Sequence, residues 1–229
     1  MWPDDNQGSN QSYKFTVTPD YFRENAQPGG SGMRFSRTEI IQILISVSVL
    51  TVAFAIALSN ISELGFDLVV FEFMLGASFV AVFTGFLLHE LSHKILAQKY
   101  GCFAEFRMSL YGLFLGLITS FLGFLFALPG AVMISGRMTV EQNGKISLAG
   151  PGMNMIIGSI CLAILFVLSS DTLLFLIFSI VAYINLWLAI FNLLPIPPLD
   201  GSKVFYWNKP IYVASMALAV ALFIFANMI

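Results

Sequence analysis

The sequence predicts a polytopic α-helical membrane protein, and three observations carry that prediction. Of 229 residues, 58% are hydrophobic and only 10% charged, where a soluble globular domain is about half apolar and a quarter charged. The apolar residues gather into about six segments near the roughly 20-residue length a helix needs to cross a bilayer. No stretch between them is long enough for a sizeable soluble domain. The formal net charge of -2 argues against nucleic acid, which calls for a basic stripe.

Residues 1–38 read as a polar, mobile tail. They contain the linker-like run Gln27-Pro28-Gly29-Gly30-Ser31-Gly32 and a candidate short strand at Lys14–Thr18. Met33 opens a stretch that looks like a natural start. Residues 39–229 read as a single membrane-embedded domain. Its apolar segments are 40–58, 68–100, 110–128, 152–169, 173–194 and 211–229. The second exceeds the hydrocarbon thickness, so its end should project into water. Between the third and fourth, residues 131–134, 137–141 and 145–149 read as short strands. Ser135-Gly136 and Asn143-Gly144 separate them, and Asn-Gly is a strong hairpin signal. A small β-meander near the cytoplasmic face is expected.

Orientation follows from the positive-inside bias. Arg34 and Arg37 precede the first span, Glu63 and Asp67 follow it, and Lys94, Lys99 and Arg107 cluster at the end of the second. This points to a multi-pass protein of the cell membrane with its N-terminus toward the cytoplasm.

The second segment carries His89-Glu90-Leu91-Ser92-His93. Residues four apart share a helix face, so both imidazoles can reach one zinc ion. Glu90 beside them can take a proton from a zinc-bound water, the arrangement of H-E-x-x-H proteases. The chain has two histidines, and both are here. Ionisable groups at the centre of a membrane helix cost about 2.5–3.5 kcal/mol each and persist mainly where they function. If Lys99 marks the interface, His89 lies roughly 15 Å deeper along the helix. The bland alternative is a polar cluster that has slid out to the interface, with Lys94 and Lys99 at the water.

Catalytic zinc usually has three protein ligands and an open position. Asp200, in Asn192-Leu193-Leu194-Pro195-Ile196-Pro197-Pro198-Leu199-Asp200-Gly201, is the candidate third. Three prolines in four residues break a helix, and irregular backbone at membrane depth survives only within protein or along a wet cavity. From composition alone, Asp200 could equally be a surface carboxylate in a turn. Cys161 reads as a small buried hydrophobe. Cys102, after Gly101 in a loop, is a thiol that could suit zinc.

Together, His89–His93, Asn192–Gly201 and the run Ala149-Gly150-Pro151-Gly152-Met153-Asn154 resemble the motifs of the site-2 protease family of intramembrane metalloproteases, of the prokaryotic and archaeal type without a PDZ domain. The resemblance runs from about Arg34 to Asp200. It implies one zinc ion held by His89, His93 and Asp200, with Glu90 as the catalytic base. It also implies transmembrane protein substrates cut within or near the bilayer, from an active site opening toward the cytoplasm. Pro151 suits a first helical turn. Asn154 and Asn192 are candidates for substrate or oxyanion binding, against the alternative of helix–helix hydrogen bonds. An edge of the expected meander could pair with an extended substrate.

A three-ligand site constrains topology. If residues 110–128 crossed once, Asp200 would lie on the opposite face from His89. The third segment is therefore expected to be re-entrant or an interfacial hairpin. Two rival readings remain: a zinc protease with a Glu ligand, for which Glu105, Glu141 and Asp171 offer no good embedded candidate, and a catalytically inactive homologue acting as a binding or regulatory protein.

Overall fold

A computed structural model of the chain describes residues 35–59 and 65–229. The expected Lys14–Thr18 strand and almost all of the expected tail lie outside the described residues. Helix α1 (Arg37–Leu58) starts at Ser36, whose hydroxyl accepts from the Glu39 amide at 3.0 Å, an N-cap that satisfies one of the orphan donors. Helix α2 (Leu68–Lys99) is capped by Asp67, which accepts from the Val69 and Val70 amides. Its 32 residues span roughly 48 Å at 1.5 Å per residue, beyond the ~30 Å hydrocarbon core. At Phe83–Leu87 it widens into one π turn, immediately before the histidine motif. There the Thr84 hydroxyl donates to the Val80 carbonyl at 2.8 Å, and Asn185 donates to the Thr84 hydroxyl at 3.0 Å.

Strand β1 (Phe103–Met108), helix α3 (Leu110–Ser120) and strand β2 (Gly130–Ser135) form one excursion. The strands pair antiparallel, from Phe103 opposite Ser135 to Met108 opposite Gly130. The Ser109 amide donates to the Pro129 carbonyl at 2.8 Å, so the segment leaves and returns at one point. The returning leg lies flat on α3. A Cβ at Gly116 would stand 2.7 Å from the Ala127 methyl, and one at Gly112 would overlap the Leu128 carbonyl.

Helix α4 (Val140–Leu165), helix α5 (Leu173–Asn192), the short helix α6 (Asp200–Trp207) and helix α7 (Lys209–Ala226) complete the chain. Gly158 of α4 admits Leu186 of α5, whose side-chain carbons would lie 2.6 Å from an added Cβ. Cys161, Leu162 and Leu165 continue this seam against Val181 and Ala182. A second cluster joins Val47 and Leu50 of α1 to Val82 and Phe86 of α2 and to Phe106 and Leu113. Among the described residues five helices, α1, α2, α4, α5 and α7, are long and apolar enough to cross a membrane. Their outward faces carry exposed Leu44, Phe79, Ile160, Leu174 and Val213, a pattern fit for lipid and not for water.

Three expectations are corrected. The three-stranded meander does not form: of its strands only Gly130–Ser135 exists, and its partner is the unpredicted Phe103–Met108. Residues 140–149 are helical because Thr139 and Gln142 make a reciprocal capping box, which outweighs the local Asn143-Gly144 hairpin signal. Gly144 serves packing instead, since a Cβ there would fall 2.5 Å from the Trp207 side chain. Pro151 is interior to α4 and not in its first turn; it withholds a hydrogen bond from the Ser147 carbonyl. Lys94 does not mark the water: it is buried against Glu39, its ammonium 2.5 Å from both carboxylate oxygens.

Candidate metal centre

His89 and His93 project from one face of α2 after the π turn, with ring centroids 4.7 Å apart and nearly perpendicular planes. The His93 Nδ1 lies 2.7 Å from the Ile146 carbonyl of α4. A carbonyl only accepts, so Nδ1 carries the proton and Nε2 presents a lone pair. That Nε2 is 3.0 Å from the Nε2 of His89. Asp200 enters from the start of α6, its Oδ2 3.0 Å from His93 Nε2 and 3.4 Å from His89 Nε2. Among the described residues these three form a group whose ligand atoms lie close enough together to hold a metal ion.

With Nε2 of each histidine unprotonated, these three atoms present lone pairs toward one another, an arrangement that a cation between them would stabilise. Tetrahedral ligands at about 2.0–2.1 Å from zinc stand roughly 3.4 Å apart, close to the separations observed. The third wall is Gly150. A Cβ there would lie 2.6 Å from His89 Nε2 and nearer still to His93 Nε2, so any other residue would fill the space the donors enclose. The residues therefore fit a zinc ion. Lys203, one turn along α6, reaches the other Asp200 oxygen at 3.5 Å, leaving Oδ2 to the histidines.

Glu90 does not join the three donors. Its Oε2 accepts from the Val132 amide of β2 at 2.9 Å. In the register of the ribbon, Phe106 and Val132 are opposite, and both amides point outward, since Phe106 N–H donates to Glu39 at 2.9 Å. The outer edge of β2 thus runs past Glu90. Asn154 lies one turn beyond Gly150 on α4, fully buried, with neither amide atom partnered among the described residues. Asn192 instead donates to the Leu188 carbonyl of its own helix at 3.0 Å. Cys102 is not in the metal-binding group. It packs beside Gly136, and burial pushes its thiol pKa up, so it stays a neutral thiol.

Sequence reasoning missed the Ile146 carbonyl, the wall at Gly150, Lys203, and Asn185 against the π turn. The first is a backbone group without a side-chain signature. The Ala149–Asn154 run did mark the helix that supplies Gly150.

The profile of Peptidase family M50 matches residues 169–208. A Methanocaldococcus jannaschii protein provisionally named a zinc metalloprotease is 42% identical over 181 residues, covering 78% of this chain and 89% of the relative. A second protein of that organism, named a zinc metalloprotease, is 28% identical over 127 residues, covering 55% of this chain and 32% of the relative. A provisionally named zinc metalloprotease of Bacillus subtilis (strain 168) is 30% identical over 148 residues, covering 55% of this chain and 65% of the relative. No solved structure matches the chain.

Proposed function

Because the chain belongs to peptidase family M50, the site-2 proteases, and is thus a zinc metalloendopeptidase and a multi-pass membrane protein, we propose that it cuts transmembrane protein segments within the bilayer. In this reading His89, His93 and Asp200 hold one zinc ion and Glu90 is the general base. The observation that carries it is the convergence of Asp200 Oδ2 from α6 with the Nε2 atoms of His89 and His93, all within 3.4 Å of one another, beside Glu90 on the helix that bears the histidines. Bound zinc supplies a Lewis acid and brings the pKa of water down to about 7. The chain's own residues do the rest. Glu90 accepts the proton of the attacking water at a carboxylate oxygen and later returns it to the leaving amine. An extended substrate pairs with the outer edge of β2. The Val132 amide then turns from Glu90 Oε2 to a substrate carbonyl, which frees that oxygen for the proton.

Asn154 is the better oxyanion donor of the two asparagines, since its amide is unpartnered among the described residues whereas Asn192 is engaged with Leu188. The membrane-embedded unit comprises residues 39–229. Arg37, Lys99, Arg137 and Lys145 flank the ends of the spans nearest the site, a positive bias that supports a cytoplasmic orientation of that face in the cell membrane. A homologue that only binds would not need Glu90 beside an intact donor set.

The test is cleavage of a single-span substrate in detergent. Glu90→Gln is expected to slow cleavage by about 10²–10⁴-fold, the range for loss of a general base, while retaining zinc. Equal cleavage by wild type and variant would remove the catalytic role.

A further inference from the structure

Among the described residues, one ion pair outside the candidate metal centre is almost wholly buried. Glu39 of α1 and Lys94 of α2 are each at or below 1% exposure, with the Lys94 ammonium 2.5 Å from both Glu39 carboxylate oxygens. Phe35 covers the ammonium, its ring centre 4.1 Å away. Desolvating two charges costs more than such a pair reliably returns in stability, and its best-attested use is to fix a register.

The same carboxylate has a second task. Glu39 Oε1 accepts from the Phe106 amide of β1 at 2.9 Å, and Gln42, one turn along α1, accepts from the Met108 amide at 3.1 Å. Ser36 donates to Glu105 of the same strand. The outward amides of Phe106 and Met108 are thereby taken up by α1, while on the outer edge of β2 the Val132 amide meets Glu90. The contacts close a ring. Glu39 holds Phe106; Phe106 stands opposite Val132; Val132 donates to Glu90; Glu90 and Lys94 are four apart on α2 and share its face; Lys94 returns to Glu39.

We propose that Glu39 and Lys94 are positioning residues that lock the β1–β2 ribbon in register with the helix bearing Glu90, and so decide which peptide bond of a strand-paired substrate lies opposite the base. The proposal rests on the intramembrane protease reading above. Neither residue touches the reacting atoms. A one-residue slip of the ribbon would turn every outward amide of β2 inward, and a two-residue slip would present a different bond. Lys94 holds the Glu39 carboxylate in place, so a one-residue slip withdraws the Phe106 amide from a fixed acceptor and leaves a buried N–H unpaired.

The experiment uses the full chain in detergent with a single-span substrate whose products are mapped by mass spectrometry. Zinc content and amide hydrogen exchange of residues 103–108 and 130–135 are measured on the same samples. Wild type is expected to cut predominantly one bond. Glu39→Met, which removes both the ion pair and the Phe106 acceptor, is expected to keep zinc, exchange the ribbon amides at least tenfold faster, and scatter cleavage over neighbouring bonds. Glu39→Gln with Lys94→Gln keeps an acceptor for Phe106 and a neutral side-chain pair, and is expected to restore the wild-type bond. A Glu39→Met protein that cuts only the wild-type bond, whatever its rate, would overturn the proposal. So would loss of zinc in that variant, which would mark the pair as support for the metal site. If Glu39→Met does not yield folded protein, the decision passes to Lys94→Gln alone: scattered cleavage with zinc retained supports the register role, and an unchanged bond overturns it. A wild type that holds zinc and does not cleave would sink the protease reading, and this inference with it. A wild type that cleaves, with a register indifferent to Glu39 and Lys94, would sink this inference alone.

Discussion

At the scale of single residues, the candidate metal centre is defined as much by an absent side chain as by the ligand atoms. His89, His93 and Asp200 bring acceptor atoms to 3.0–3.4 Å of one another, and Gly150 leaves room for what they enclose. Gly150→Ala forces a methyl against two imidazole nitrogens. Overpacking costs about 1–3 kcal/mol, equivalent to roughly 5- to 150-fold in affinity, and that loss is expected in zinc binding measured by competition with a chelating dye. Gly152→Ala, two positions on, meets nothing within 4 Å and is expected to bind zinc as wild type does.

At the scale of elements, α6 is the part that brings the third donor to the histidines. It begins at Asp200 and ends at Trp207, and the indole packs on Gly144 in the second turn of α4. α4 therefore fixes both ends of the site: its Ile146 carbonyl holds the His93 ring, and its glycine receives the far end of the Asp200 helix. Gly144→Leu is expected to push α6 away from α4. The predicted outcome is a lower melting temperature with weakened zinc retention on dialysis, while the helical circular dichroism signal stays near wild type.

At the scale of the whole molecule, the excursion between β1 and β2 decides which side of the membrane each later span begins on. Ser109 and Pro129 are hydrogen-bonded, so the chain enters α4 on the side at which α2 ends, with no net crossing between the two. Single cysteines introduced at Ser135 and Ser170, in a background lacking Cys102 and Cys161, should label from opposite sides of sealed vesicles. Ser135 is expected to react from the cytoplasmic face and Ser170 from the outer face. Labelling of both from one side would be incompatible with α4 as a span.

The sequence by itself determined the helical membrane class and the grouping of His89, Glu90 and His93. Apolar length and four-residue spacing are local properties, and a helix converts them directly into a span and a face. Local signals also misled. Asn143-Gly144 carries a hairpin signal by itself, but the Thr139–Gln142 capping box and the Trp207 contact make it the second turn of a helix. Phe103–Met108 gave no usable strand signal because its outward amides are satisfied by α1 side chains some 66 to 67 residues away in sequence. Lys94 read as an interfacial charge because its partner, Glu39, is 55 residues distant. Only the tertiary structure brought Asp200 to the histidines, turned residues 110–128 back, and joined Glu90 to the edge of β2. Each of these depends on which elements pack together, and a spacing rule within one element carries no information about that.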